Sequence, residues 1–327
     1  MKVSIYPSYR KNKKVGNPFI NNLYDNLVEF ADVQYVYGKN QQGLFHNLFK
    51  SKVYIMNWPE NVIFDRLGFL QIFVFCIFLY ILLLRRAKFV WFFHNITPHD
   101  GHNLYSRYIY GFMMRHSSLV VSLSKKGAEY LRGKTQATIK YYPHPFKTEM
   151  RKAQELEKKW DFYIWGGINK YKGIVEFLSY LKVADKQAQY NILITGKCND
   201  DTYDKQIRDL LSPNIEYQNG YIDNDTLIHN INSSRYVLFT YLADSVSSSG
   251  ALMDSLEYGA TVIGPDAGAF ADSQEEGVCF TYKNYADILE IARSNKKIAP
   301  STVAKYIHKN TWVEFCKNLY NDINLIQ

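Results

Sequence analysis

The sequence predicts an α/β protein built from two Rossmann-like domains. Three observations predict it. Short apolar runs of strand length alternate with helical stretches along the chain, the pattern of parallel sheets with helices on their faces. The 327 residues are too many for one typical core and suit two domains of about 150 residues each. Apolar residues make up 47% of the chain, with 27 Tyr and 20 Phe, which excludes a disordered one.

In the first half, strands are expected at 3–6, 33–37, 52–56, 88–93, 119–122 and 139–142, with helices at 19–29, 66–85, 105–115 and 125–132. The first helix carries a start signal. Asn17 precedes Pro18, which pushes Asn17 toward an extended conformation and sets the first helical φ. Residues 67–84 are apolar except for Gln71 and are flanked by Arg66 and by Arg85 and Arg86. Eighteen such residues meet the lower length limit for a membrane span. A strand follows at 88, however, and a span would split the first sheet across a bilayer. The favoured reading is a helix packed on the domain and dipping into the inner leaflet, with its arginines on phosphate headgroups. A buried core helix and a spanning helix are the alternatives. The charged run 150–159 is the linker candidate. Beyond it, strands are expected at 161–165, 191–195, 215–218, 237–240 and 261–264, and an amphipathic helix at 312–327.

Charge divides unevenly. Residues 1–155 hold 22 Lys and Arg against 9 Asp and Glu, or +13, whereas 156–327 hold 17 against 22, or −5. The first half is therefore expected to face something anionic. No nucleic-acid module is recognisable, so the expected partner is an anionic membrane surface and not nucleic acid. The cysteines Cys76, Cys198, Cys279 and Cys316 are scattered without a C-x-x-C pair, which suits reduced thiols and no zinc site. Met1 leads straight into a strand, so no signal peptide is expected and the chain is placed on the cytoplasmic side.

Two stretches carry the chemistry. In 245–268 a strand gives way to a Ser/Gly turn, a short helix whose first turn lacks Lys and Arg, a stop at Gly259 and another strand. N–H groups opening such a helix have no helical partner and suit a diphosphate. Ser247, Ser248 and Ser249 add hydroxyls, Gly250 permits close approach, and Asp254 stands one turn on, where it can accept from a sugar hydroxyl. The second stretch, 161–173, is an apolar strand, the pair Gly166 and Gly167, a polar loop, then Lys172 and Gly173 opening a helix with Ile174, Phe177, Leu178 and Leu181 on one face. An ordinary capped helix and a solvated surface Lys are the plain readings of these two turns.

Together they resemble the donor-binding domain of GT-B glycosyltransferases, in particular the retaining glycosyltransferase family four, over about 161–268. The family's Gly-Arg-Leu, three residues, Lys-Gly loop is matched in spacing by Gly166 to Gly173, with Lys172 at the phosphate-binding position. Gly167 replaces the Arg, and Lys170 is the nearby cation. Of the family's two acidic residues eight apart, Asp254 occupies the second position and Val246 the first. The tail Gly259, Ala260, Thr261, Val262, Ile263 follows the family's Gly-x-Pro-Val-Ile with Thr for Pro.

The resemblance implies a GT-B fold: an acceptor-binding, membrane-associated domain over 1–155, a nucleotide-sugar-binding domain over 156–305, and a helix over 306–327 returning to the first. It implies a hexosyltransferase of the capsule or exopolysaccharide type that uses a nucleotide-sugar and a saccharide or lipid-linked acceptor. It implies a metal-free mechanism, so no metal or other cofactor is expected. Tyr221 and Ile222 would frame the base. His94, with Lys172, is the expected catalytic residue, lying in Phe93 to Asp100 where capsule enzymes show a similar pattern. Asn17, His99, Asp100 and His144 would lie on the acceptor side. A nucleotide-sugar epimerase of the same fold and a non-catalytic sugar-binding protein remain as alternatives.

Overall fold

In this computed structural model the described residues are 1–8, 17–37, 44, 48–64, 68–94, 103–147, 150, 156–184, 186, 189–242 and 248–326. Their contacts divide into two compact units, Met1–Lys147 with Asn310–Gln327, and Thr148–Lys309.

The first unit holds a six-stranded sheet of β1 (Lys2–Ser8), β2 (Asp32–Tyr37), β3 (Val53–Asn57), β4 (Lys88–Phe93), β5 (Ser117–Ser122) and β6 (Thr138–Tyr141). The order is β2-β1-β3-β4-β5-β6. Every pairing is parallel, with registers such as Val3↔Val53 and Trp91↔Val120. β3 is buried throughout and β4 nearly so, because helices cover both faces of a parallel sheet. On one face α1 (Pro18–Leu27) buries Phe19, Ile20, Leu23 and Leu27 against Trp312, Phe315, Cys316, Leu319 and Ile323 of α12 (Trp312–Leu325). On the other, α2 (Gly68–Leu84) and α3 (Leu104–His116) pack over Tyr54, Met56, Trp91 and Phe93. A shorter helix, α4 (Lys125–Leu131), follows β5.

α2 is two-sided. Ile72, Phe75, Phe78, Leu79 and Leu82 are buried, whereas Leu70, Phe73, Ile77, Tyr80 and Leu84 face solvent, Phe73 at 64% and Leu84 at 83% exposure. Among the described residues no helix is long and apolar enough to cross a membrane.

The second unit repeats the plan with β7 (Trp160–Trp165), β8 (Ile192–Gly196), β9 (Ile215–Asn219), β10 (Ser234–Leu238), β11 (Val262–Pro265) and β12 (Phe280–Tyr282), ordered β12-β11-β10-β7-β8-β9. Again all pairings are parallel. This is the Rossmann order, with its switch point between β7 and β10, where ligands sit outside the carboxyl ends of the strands. Its helices are α5 (Ile174–Val183), α6 (Asp201–Arg208), α7 (Asn224–Asn232), α8 (Gly250–Glu257), α9 (Gly268–Glu275), α10 (Tyr285–Ser294) and α11 (Pro300–Lys309). β10 begins three residues before the predicted strand because Arg235 is held there, its guanidinium 2.6 Å from Asp161 of β7. Gly259 ends α8 as its sequence suggests, with φ 82° in the left-handed region.

Candidate functional site

The switch point of the second unit brings the two predicted anion-binding turns together. After β7 the chain passes through Gly166, at φ 99°, and a 3-10 turn, Lys170–Lys172, before α5. Gly173 then takes φ 63°, and a Cβ there would lie 2.3 Å from the Thr240 carbonyl oxygen, so only glycine allows this approach. The contact is stitched. Thr240 Oγ1 donates to the Lys172 carbonyl at 2.6 Å, and the Leu242 N–H donates to the Tyr171 carbonyl at 3.0 Å. On the far side, the Trp165 indole N–H donates to Ser255 Oγ at 3.0 Å, tying the end of β7 to α8.

Lys172 is buried, at 6% exposure. Its ammonium donates to the Tyr241 hydroxyl and lies 4.1 Å from the centre of that ring and 5.6 Å from the Tyr171 ring. Burial pushes its pKa down to about 7. No carboxylate among the described residues lies within ion-pair distance of it. An arriving anion would supply the missing counter-charge.

Ser249 caps α8, its hydroxyl accepting from the Leu252 N–H at 3.2 Å. The N–H groups of Gly250 and Ala251, in the first turn, have no partner within the helix. Ser248 is half-buried beside them and Asp254 is half-buried one turn on. Gly167 is exposed. Lys170 is also exposed and pairs with Asp200 at 3.3 Å. The Asp200 carboxyl is held below its usual range first by the Tyr203 N–H and then by Lys170. Tyr221, 89% exposed, and Ile222 follow β9. β8 intervenes between β9 and β7, which sets that loop roughly 10 Å from the crevice at ordinary strand spacing.

In the first unit His94 stands at the end of β4, 5% exposed. Its Nε2 is 3.2 Å from Asn57 Oδ1, and Asn57 Nδ2 donates to the Tyr6 carbonyl at 3.2 Å. With the Asn57 amide in this orientation, His94 Nε2 is the donor. The Trp58 indole stacks on the imidazole at 3.9 Å and 17°, and Trp58 takes φ 46°, a left-handed backbone that costs a bulky residue about 1 kcal/mol. Phe19 meets His94 edge-on at 5.1 Å and His144 at 5.4 Å, which brings both histidines to one ring. His144 Nδ1 is 3.2 Å from the Pro145 carbonyl oxygen. Asn17 spends its side chain on capping α1, accepting from the Phe19 N–H at 2.9 Å.

Ser247, His99 and Asp100 lie outside the described residues, as do Val246 and Gly16. Sequence reasoning missed Asn57, Trp58 and Tyr241. A polar residue and a Trp-Pro pair closing an apolar strand was the available signal for the first two; nothing local distinguishes Tyr241 from core.

No protein-family model matches the sequence, and no curated protein matches it by sequence. Solved structures do match in fold. AviGT4, a glycosyltransferase involved in avilamycin A biosynthesis, superposes with TM-score 0.63 at 14% identity over 99% of this chain and 98% of its own. An α,α-trehalose-phosphate synthase (UDP-forming) from Burkholderia vietnamiensis gives 0.63 at 10% identity over 99% and 97%. The N-terminal domain of Candida albicans trehalose-6-phosphate phosphatase gives 0.67 at 9% identity over 100% and 97%. Likeness at such identities speaks to fold, and the fold is that of the GT-B glycosyltransferases, with two Rossmann-like domains.

Proposed function

We propose that this protein is a glycosyltransferase that moves a hexosyl group from a nucleoside-diphosphate-sugar to a lipid-linked saccharide at the cytoplasmic face of a membrane. The product would be a surface polysaccharide of the capsule type, and the configuration at the sugar carbon would be retained. One observation carries the reading. β7 and β10 are neighbours at the switch point, with the Lys172 loop following one and the opening turn of α8 following the other, so that a diphosphate there would meet an amine and N–H groups with no partner in their helix.

The chemistry follows from where charge grows. As the bond between the sugar carbon and the β-phosphate oxygen breaks, negative charge builds on the departing nucleoside diphosphate. Lys172 and the amides of Gly250 and Ala251 would meet that charge in a water-poor pocket, so they would stabilise the transition state more than the bound donor. Asp254 would accept from ribose hydroxyls, and Tyr221 with Ile222 would frame the base. His94, held by Asn57 and Trp58, would contact the transferred sugar, with His144, His99 and Asp100 toward the acceptor. This scheme invokes no metal ion.

The membrane part of the reading draws on the exposed stripe of α2 and on Leu104, Tyr105 and Tyr108 of α3, where Tyr80 and Tyr108 share a hydrogen bond between their hydroxyls. Arg85 and Arg86 flank the stripe, and the +13 charge of residues 1–155 suits anionic headgroups.

The test is incubation of the purified chain with a panel of nucleotide-sugars and a membrane extract. Acceptor-dependent release of nucleoside diphosphate is expected. A sugar changed without an acceptor would indicate an epimerase, and binding without turnover a sugar-binding protein. Lys172→Met, which keeps the volume, should lower kcat/KM by about a hundredfold or more and leave Tm unchanged or higher. Full activity in that variant would remove Lys172 from the site.

A further inference from the structure

We propose that Tyr241 is a positioning residue for the donor site, its phenol oxygen holding the amine of Lys172 at the switch point. The inference deepens the donor-site reading above and rests on it. Tyr241 lies just past β10 and is 8% exposed. Lys172 donates to its oxygen.

The ring has little freedom. Tyr171 meets it edge-on at 5.8 Å, Phe239 at 5.4 Å and Phe270 at 5.8 Å. Its backbone is fixed on both sides by the bonds from Thr240 and Leu242 to the loop that carries Lys172. Among the described residues, the groups facing the Lys172 amine are the Tyr171 and Tyr241 rings and the backbone at Gly166, where an added Cβ would lie 3.7 Å from Nζ. Burial, and secondarily Tyr171, pushes the Tyr241 pKa up, so the acceptor is a neutral phenol and not a counter-ion. The phenol oxygen accepts a charge-assisted bond from the ammonium, stronger than the bond it can share with the neutral amine, in a pocket where burial works the other way.

Removing that oxygen lowers the Lys172 pKa further, and this gives a signature that loss of packing would not. Below the pKa Lys172 is charged with or without the phenol. Above it, anion binding must bring a proton with it, and more so when the phenol oxygen is gone. The experiment is calorimetric titration of the full chain and of Tyr241→Phe with inorganic pyrophosphate at pH 6 and pH 8. The ratio of the two Kd values cancels the titration of pyrophosphate itself. For a drop of one pKa unit the ratio is expected to be about twofold at pH 6 and about tenfold at pH 8. An equal ratio at both pH values overturns the positioning role while leaving the donor site standing. A wild-type chain that binds no pyrophosphate overturns both. Tyr241→Met, which also lacks the oxygen, provides the second variant and keeps the test open if Tyr241→Phe does not fold; its Kd ratio should grow with pH in the same way, and a ratio uniform in pH overturns the positioning role.

Discussion

Glu60 lies in the 3-10 turn Pro59–Phe64 that follows β3 and Trp58, and it is a buried acid whose Oε2 has no hydrogen-bond partner among the described residues. Burial raises its pKa to about 7 from 4.5. The folded chain therefore holds a proton there that the unfolded chain has released once the pH passes about 4.5. The stability contributed by the protonated acid is complete below that value and is lost as pH rises through about 7. Glu60→Gln keeps the shape without the charge. It should leave stability near wild type at pH 4 and raise it by about 3 kcal/mol at pH 8, read from urea unfolding at the two pH values. A gain of equal size at both would refute the burial account. At this scale the sequence was partly legible. Lys172 stood out because Lys-Gly at a helix start, six residues after a Gly-Gly break, is a chemical pattern. Tyr241 did not, since an aromatic at the end of an apolar strand reads as core until the fold sets its oxygen beside an amine.

Helix α2 shows what periodicity leaves open at the scale of an element. Its sequence is apolar all round, so the helix was legible but the buried face was not. Packing on β3 and β4 selects Ile72, Phe75, Phe78, Leu79 and Leu82 and leaves the stripe from Leu70 to Leu84 outside. The faces should separate experimentally. Phe73→Ser with Ile77→Ser is expected to keep Tm while releasing the protein from vesicles containing anionic lipid, measured by co-sedimentation. Phe75→Ser should destabilise by about 3–5 kcal/mol, as a large buried ring replaced by a small polar group does. Undiminished sedimentation of the first variant would rule out α2 as the membrane contact. Other elements escaped for a different reason. β12 is three residues, Phe280–Tyr282, only one of them buried, too short to alternate visibly.

For the whole molecule, alternating strands and helices announced parallel sheets, but their strand order depends on pairing between distant segments and carries no local mark. The first sheet runs β2-β1-β3 where the second runs β12-β11-β10-β7, so the switch point falls between β1 and β3 in one and between β7 and β10 in the other. Assignment of α12 to the first unit is likewise a matter of packing, through Trp312, Phe315, Leu319 and Ile323 against α1. Leu319→Ala should cost about 2–5 kcal/mol. Hydrogen exchange in that variant should quicken in α1, β1 and β3 and stay unchanged in β7 to β11. Faster exchange across both sheets would mean that the units unfold as one.

That placement of α12 has a consequence for synthesis. The ribosome must translate all of Thr148–Lys309 after the first six strands have emerged and before Trp312 is made. Until then Phe19, Leu23 and Leu27 of the nascent chain lack the side chains that cover them, a sticky surface that a chaperone would have to shield while the polypeptide is still growing.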